Sequence, residues 1–130
     1  MAENHTSLAP RPTERVVGGT TVVELRGEID LLTSPPLSAR LDTLTAGPCP
    51  DLVLDLRHVS FIDCSGLSVP CRARNRVLTR HGRLRLVADS ARFLRILRGT
   101  NLAGVFEIHS ALPAAQPGIS GEDIAAAAVA

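Results

Sequence analysis

The sequence predicts an α/β fold: a mixed, mostly parallel sheet of about five strands with helices packed on it. Three observations carry this. Short β-branched or leucine-rich runs alternate with segments of helical period along most of the chain. One run, "DLVLDL" at 51–56, is apolar at 52, 53, 54 and 56. Such a run fits a strand covered on both faces, hence a parallel sheet with helices outside it. The opening "ERVVGGTTVVELRG" places two β-branched runs around Gly18-Gly19, a hairpin signal that adds one antiparallel pair.

The elements follow in order. Residues 1–12 are polar, hold two prolines and read as a flexible arm. The second strand of the hairpin is expected over Thr21–Leu25, ending at Gly27. Ser34 is the expected N-cap of a helix whose first turn takes Pro35 and Pro36. Leu37, Leu41 and Leu44 lie at i, i+4 and i+7 on one face, and Gly47-Pro48 stops the helix. After the strand at 51–56, a second helix is expected from about Gly66 to Arg80, closed by His81-Gly82. "RLRLV" at 83–87 alternates as a strand does, Ser90 caps "ARFLRILR", Gly99 stops that helix, and "VFEIH" at 105–109 is the last strand. A short helix around 111–115 completes a domain over 13–115. In the tail, 116–130, Ser120 and Asp123 have capping-box spacing before an alanine-rich run. A docked helix and a frayed tail both remain open there.

Composition bounds the function. A chain of 130 residues that is 45% hydrophobic suits one globular domain. With three Phe and no Tyr or Trp, the core must be aliphatic, and stacking platforms for single-stranded nucleic acid are not expected. A net charge of +1 nominates neither nucleic acid nor a membrane as partner. All 14 cationic residues are arginine, which GC-rich codon usage explains. Cys49, Cys64 and Cys71 have no paired spacing and no histidine set, so zinc is not expected. There is no signal-peptide pattern and no apolar run of membrane-spanning length, so a cytoplasmic location is expected, and a monomer is taken as the default.

"FIDCSGL" at 61–67 carries the chemistry worth weighing. Cys64 stands at an expected helix start, which can lower a thiol pKa. The C-x5-R spacing of a phosphate loop meets Pro70 instead of arginine, and His5, His58, His81 and His109 form no recognisable pattern with it. Ser65 lacks the flanking glycines of a G-x-S-x-G elbow. "DCSG" also lacks the glycines and lysine of a nucleotide-binding loop. As a phosphate acceptor, Ser65 makes physical sense. The dianion would sit on unpaired backbone N–H groups at the positive end of the helix dipole, and its effect would fall on a partner through added charge and bulk.

Wound at about 100° per residue, the helix puts Leu67, Cys71 and Leu78 on one side, with Pro70, Ala73 and Val77 beside them and Arg74 near the edge. Ser65, Ser68, Val69, Arg72, Arg76 and Arg80 fall opposite, as one expected exposed stripe. A serine N-cap above an ordinary solvated face explains this stripe as well as a contact surface does. Pro70, one turn inside, implies a distorted first turn or a later helix start.

The chain resembles the STAS-domain anti-sigma factor antagonists of bacteria. The resemblance lies in "GEIDLLTSPPLSARLDTL", "DLVLDLRHVSFIDCSGL" and "GRLRLVADSARFLRILRGTNLAGVFEIHSAL", in that order. It implies a STAS fold and a regulatory binding module that is not an enzyme and holds no cofactor. It also implies a partner, an anti-sigma factor that is a serine kinase of the histidine-kinase-like ATPase fold. Binding would free a sigma factor. The kinase, using ATP and magnesium, would phosphorylate Ser65, and a phosphatase would reverse this. No direct nucleic-acid or membrane contact is implied.

Carried over residue by residue, Asp63 would shape the loop, Gly66 would give close backbone access, and Asp30 would border the serine. Cys64, Leu67, Ser68, Val69, Arg72 and Arg76 would complete the partner surface. The sequence departs from the family pattern at Cys64, where Ser or Thr is commoner, at Ser68, often Gly, and at Pro70, usually aliphatic. Two rival readings stay open: a STAS scaffold or decoy that is no longer phosphorylated, and thiol chemistry at Cys64.

Overall fold

The computed structural model describes residues 12–112. The arm, the tail and most of the helix expected at 111–115 lie outside the described residues. Five strands form one sheet in the order β1-β2-β3-β4-β5. They are β1 Thr13–Val17, β2 Thr20–Ile29, β3 Asp51–Ile62, β4 Arg83–Val87 and β5 Glu107–His109. Only β1 with β2 is antiparallel; the other neighbours are parallel. Helices α1 Ser34–Leu44, α2 Cys64–Thr79 and α3 Ala91–Gly99 make the crossovers.

The hairpin turns on Gly18 and Gly19, whose φ values of 57° and 84° are both left-handed. A two-residue turn of that kind matches the twist of the strands, and glycine takes it without strain. Gly27 was expected to end β2, but the strand runs through it to Ile29. Its φ of 76° lies among shifts in the pairing with β3. Gly27 therefore bulges the strand instead of stopping it.

β3 likewise continues six residues beyond the expected 51–56, to Ile62. The extension was hidden because residues 57–61 are polar or partly exposed, whereas Leu52–Leu56 are buried. It pairs with Arg26–Ile29 and carries the chain to the motif. β5 is shorter than the expected 105–109. Phe106 turns into the core just before it, and Val105 is exposed.

The described helices share one face of the sheet. Val23, Leu25, Leu54 and Leu86 there meet Leu41 of α1, Ala73 and Val77 of α2, and Phe93 and Leu97 of α3. The opposite face holds a smaller cluster of Val22, Val53 and Val87, with Leu112 against it. Coverage of both faces by helices was expected, and the described helices supply one of them. The second face is partly polar. Asp51 there accepts from Thr20 and from Arg85, each at 2.8 Å.

α1 begins one residue earlier than the sequence suggested. Thr33 is its N-cap, and Ser34 is the first helical residue. Asp30 is the cause. Its Oδ1 accepts from the Leu32 and Thr33 amides at 3.0 and 3.1 Å, and the Ser34 hydroxyl donates to the Asp30 carbonyl at 2.6 Å. The loop's amides are thus taken before the helix starts. At the other end, Thr45 closes the helix before Gly47, with its hydroxyl donating to the Leu41 carbonyl at 2.8 Å.

Candidate functional site

The site is the start of α2, where it meets the ends of β2 and β3. Asp63, extended at φ −109° and ψ −169°, is the N-cap. Its Oδ1 accepts from the Gly66 amide at 2.8 Å, its carbonyl accepts from Leu67, and its own amide donates to the Ile29 carbonyl. This is the usual satisfaction of a helix's first amides. The cap is Asp63, not Ser65. Cys64 and Ser65 are the first two helical residues, so the helix begins two residues before the expected Gly66.

Gly66 fixes how closely this turn approaches the sheet. A Cβ there would lie 2.1 Å from the Ile29 carbonyl oxygen and 2.7 Å from Ile62 Cγ1. The close backbone access expected of Gly66 is spent internally, pressing the helix start onto β2. Gly66 and Leu67 are buried; Cys64 is exposed and Ser65 is half-buried. Among the helix's first four amides, Asp63 occupies that of Gly66, while those of Cys64 and Ser65 lie in the uncapped first turn. An anion on Ser65 would meet these two amides and the positive end of the dipole. It would also meet the Asp63 carboxylate two residues away.

The stripe expected below Ser65 is only partly a free surface. Ser68 is exposed, its hydroxyl donating to the Ser65 carbonyl at 2.5 Å. Val69 was expected outside, yet it is 1% exposed. Leu78 was expected inside, yet it is 48% exposed. The helical wheel was drawn against the sheet alone, whereas α2 also packs on α1, which rotates the buried arc. Arg72 and Arg76 both pair with Asp42 of α1, at 2.8 and 3.2 Å. Arg76 also donates to the Thr45 hydroxyl and the Asp42 carbonyl. The Arg72 guanidinium above all holds the Asp42 carboxyl below its ordinary value. Arg74, expected to reach into water, donates to the Val105 carbonyl at 3.1 Å.

Pro70 does not break the helix. α2 runs from Cys64 to Thr79 with Pro70 inside it and buried. The cost is the amide that would have reached the Gly66 carbonyl. Cys71 is half-buried, and burial pushes its thiol up, away from the thiolate.

Sequence reading missed three exposed apolar residues around the motif. Leu31 and Leu32, in the loop after β2, are 71% and 84% exposed, and Phe61, just before Asp63, is 44% exposed. Ile29 pairs with Ile62 across the parallel strands, so this loop and the motif leave the same C-terminal end of the sheet. Asp30, half-buried, ties the loop through the Leu32 and Thr33 amides, and both leucines remain in solvent. The signal was present as two leucines directly after an Asx-turn aspartate. Among the described residues, no group of three His, Cys, Asp or Glu could hold a metal. No described helix is long and apolar enough to cross a membrane.

Comparison with known proteins matches residues 11–115 to the model of the STAS domain. An anti-sigma factor antagonist from Mycobacterium paratuberculosis is 27% identical, with a TM-score of 0.72 over 80% of this chain and 88% of that one. The Bacillus cell fate determinant SpoIIAA in its phosphorylated form is 20% identical, with a TM-score of 0.59 over 78% and 92%. A sulfate transporter family protein from Wolinella succinogenes is 19% identical, with a TM-score of 0.63 over 78% and 85%. The last two are similar in fold alone. No curated protein matches the chain.

Proposed function

The chain belongs to the STAS domain family, and from that premise we propose that it is an anti-sigma factor antagonist switched at Ser65. In this reading the unphosphorylated protein binds an anti-sigma factor that is also a serine kinase, and so releases a sigma factor. The observation that carries it is the placement of Ser65. It is the second residue of a helix whose first turn is held in place by Asp63 and Gly66 against Ile29. Exposed Leu31, Leu32 and Phe61 lie at the same C-terminal end of the sheet and offer a partner apolar contact.

The kinase would transfer the γ-phosphoryl group of ATP to Ser65 Oγ. The oxygen–phosphorus bond forms, the bond to ADP breaks, and the hydroxyl proton passes to the kinase's base. The product dianion stands beside the Asp63 carboxylate. The phosphate therefore gains from the helix start and loses to a neighbouring like charge. The net effect falls on the partner, which must then desolvate about two further negative charges.

The test is incubation with a serine-kinase anti-sigma factor and labelled ATP, followed by mass spectrometry of the modified peptide. Phosphate on Ser65, weaker kinase binding by Ser65→Asp, and unchanged binding by Ser65→Ala are expected. No transfer to Ser65, or equal affinity of Ser65→Asp and wild type, defeats the proposal. Capture of a partner with no transfer from ATP favours the scaffold reading. Leu31→Ser with Leu32→Ser is expected to weaken the kinase complex while leaving the urea midpoint unchanged, since neither side chain is packed in the core.

A further inference from the structure

We propose that the outer face of α3, with the cavity beside it, is a second docking surface, for a protein segment that presents carboxylates around one apolar side chain. Its charged face lies on α3, outside the Ser65 turn, while Phe61 borders both surfaces, and it goes beyond the phosphorylation reading. The cavity, about 120 Å³, opens between the end of β3 and the start of α3. Val59, Phe61, Phe93 and Ile96 supply apolar walls, and Ser60, Ser90 and Arg92 are its exposed polar members. An enclosed apolar cavity of roughly 150 Å³ takes a benzene ring, so this open, part-polar one has room for a single side chain.

Charge singles out the same place. Arg92, Arg95 and Arg98 recur every third residue on α3, and all are exposed. Among the described residues, none of them has a carboxylate within salt-bridge distance. Arg26, Arg40, Arg57, Arg72, Arg76, Arg83 and Arg85 each do. Arg15, Arg74 and Arg80 also lack a carboxylate partner among the described residues, but they are scattered over β1, α2 and its C-cap, whereas α3 gathers three on one face. Such a face attracts anions, and arginine's fork fits carboxylates in particular.

The cavity, part apolar and part polar, favours a protein segment over other anions. A phosphodiester backbone would leave it empty, and Phe61 is the one exposed aromatic ring among the described residues, which makes no platform for successive bases. A bilayer needs an apolar helix face to insert, but Phe93 and Leu97 are turned into the core at 8% and 0% exposure.

The probe is a fluorescein-labelled heptapeptide, Gly-Glu-Glu-Leu-Asp-Glu-Gly, titrated with the full chain at low salt and read by anisotropy. Saturable one-to-one binding is expected, weakening as salt rises. Combining Arg92→Gln, Arg95→Gln and Arg98→Gln should weaken it about tenfold, the sum of three exposed ion pairs, with the fold checked by circular dichroism. A probe with serine for leucine should bind more weakly, and Ser65→Ala should bind as wild type does, which separates this surface from the phosphorylation site. The proposal is overturned by absence of saturable binding, by equal affinity of the triple variant, or by equal affinity of the serine probe. Preference for phosphatidylglycerol vesicles or a single-stranded oligonucleotide over the peptide overturns it as well.

Discussion

At the residue scale, the motif divides its labour differently from its first appearance. Cys64 carries the motif's thiol, yet it is an exposed first-turn residue with no general base identified for it. Asp63 and Gly66 build the turn. Gly66→Ala should destabilise the protein by up to about 2 kcal/mol. Overpacking against the Ile29 carbonyl costs roughly 1–3 kcal/mol, and alanine's better helix propensity recovers only about 1 kcal/mol. A urea midpoint equal to wild type would show that β2 can retreat. Asp63→Ala removes the cap from the Gly66 amide and should cost about 1 kcal/mol. Hydrogen exchange would show the opening confined to the first turn of α2. Both roles were half legible. The sequence "DCSG" announces a strand-to-helix turn, but which residue caps it depends on where β3 stops, and β3 runs to Ile62.

At the element scale, helices and strands were legible where one neighbour decided their pattern. Leu41 faces the sheet from α1, and Val77 does so from α2, as their periods require. The reading failed where two neighbours compete. Val69 is buried and Leu78 exposed because α2 leans on α1 as well as on the sheet, and helical period cannot report a second neighbour. It failed again in β2 and β3, whose ends pass through bulges and polar positions that break strict alternation. Pro70 taught the opposite lesson, since a residue disfavoured inside helices is accommodated one turn in. The junction of α1 and α2 is held by Asp42, which serves Arg72 and Arg76 together. Asp42→Ala should cost about 1 kcal/mol, the range for two partly exposed pairs. In high salt the difference from wild type should shrink, because these charges are screened. A difference that persists in 1 M sodium chloride would assign the effect to packing instead.

At the scale of the whole molecule, carboxylates paired with arginine tie together elements far apart in sequence. Glu14 of β1 pairs with Arg40 of α1, Asp42 of α1 with Arg72 of α2, and Glu107 of β5 with Arg83 of β4. In each pair the arginine's hydrogen bond is the leading cause that holds the carboxyl below its ordinary value. Asp55 differs. Burial pushes its carboxyl up, but the side-chain and backbone hydrogen bonds from Arg57 together outweigh burial and bring it down. Glu107 moves furthest, to about 2 from an ordinary 4.5, chiefly through Arg83 with help from His109.

A carboxyl lowered on folding binds protons more readily in the unfolded chain. Its contribution is therefore complete above the unfolded value and is lost as pH falls towards the folded one. Stability should hold from neutral pH to about 5 and then decline towards pH 2 as the four carboxyls are forced to protonate. Because Glu107 and its partner are well exposed, its share is softened by solvent and salt. Glu107→Gln should lower the urea midpoint at pH 7 and make the decline between about pH 4.5 and 2 shallower, since that group no longer titrates. Parallel acid profiles for wild type and Glu107→Gln would place the acid sensitivity in the other three pairs, and would remove β5 from the elements that the fold holds by charge.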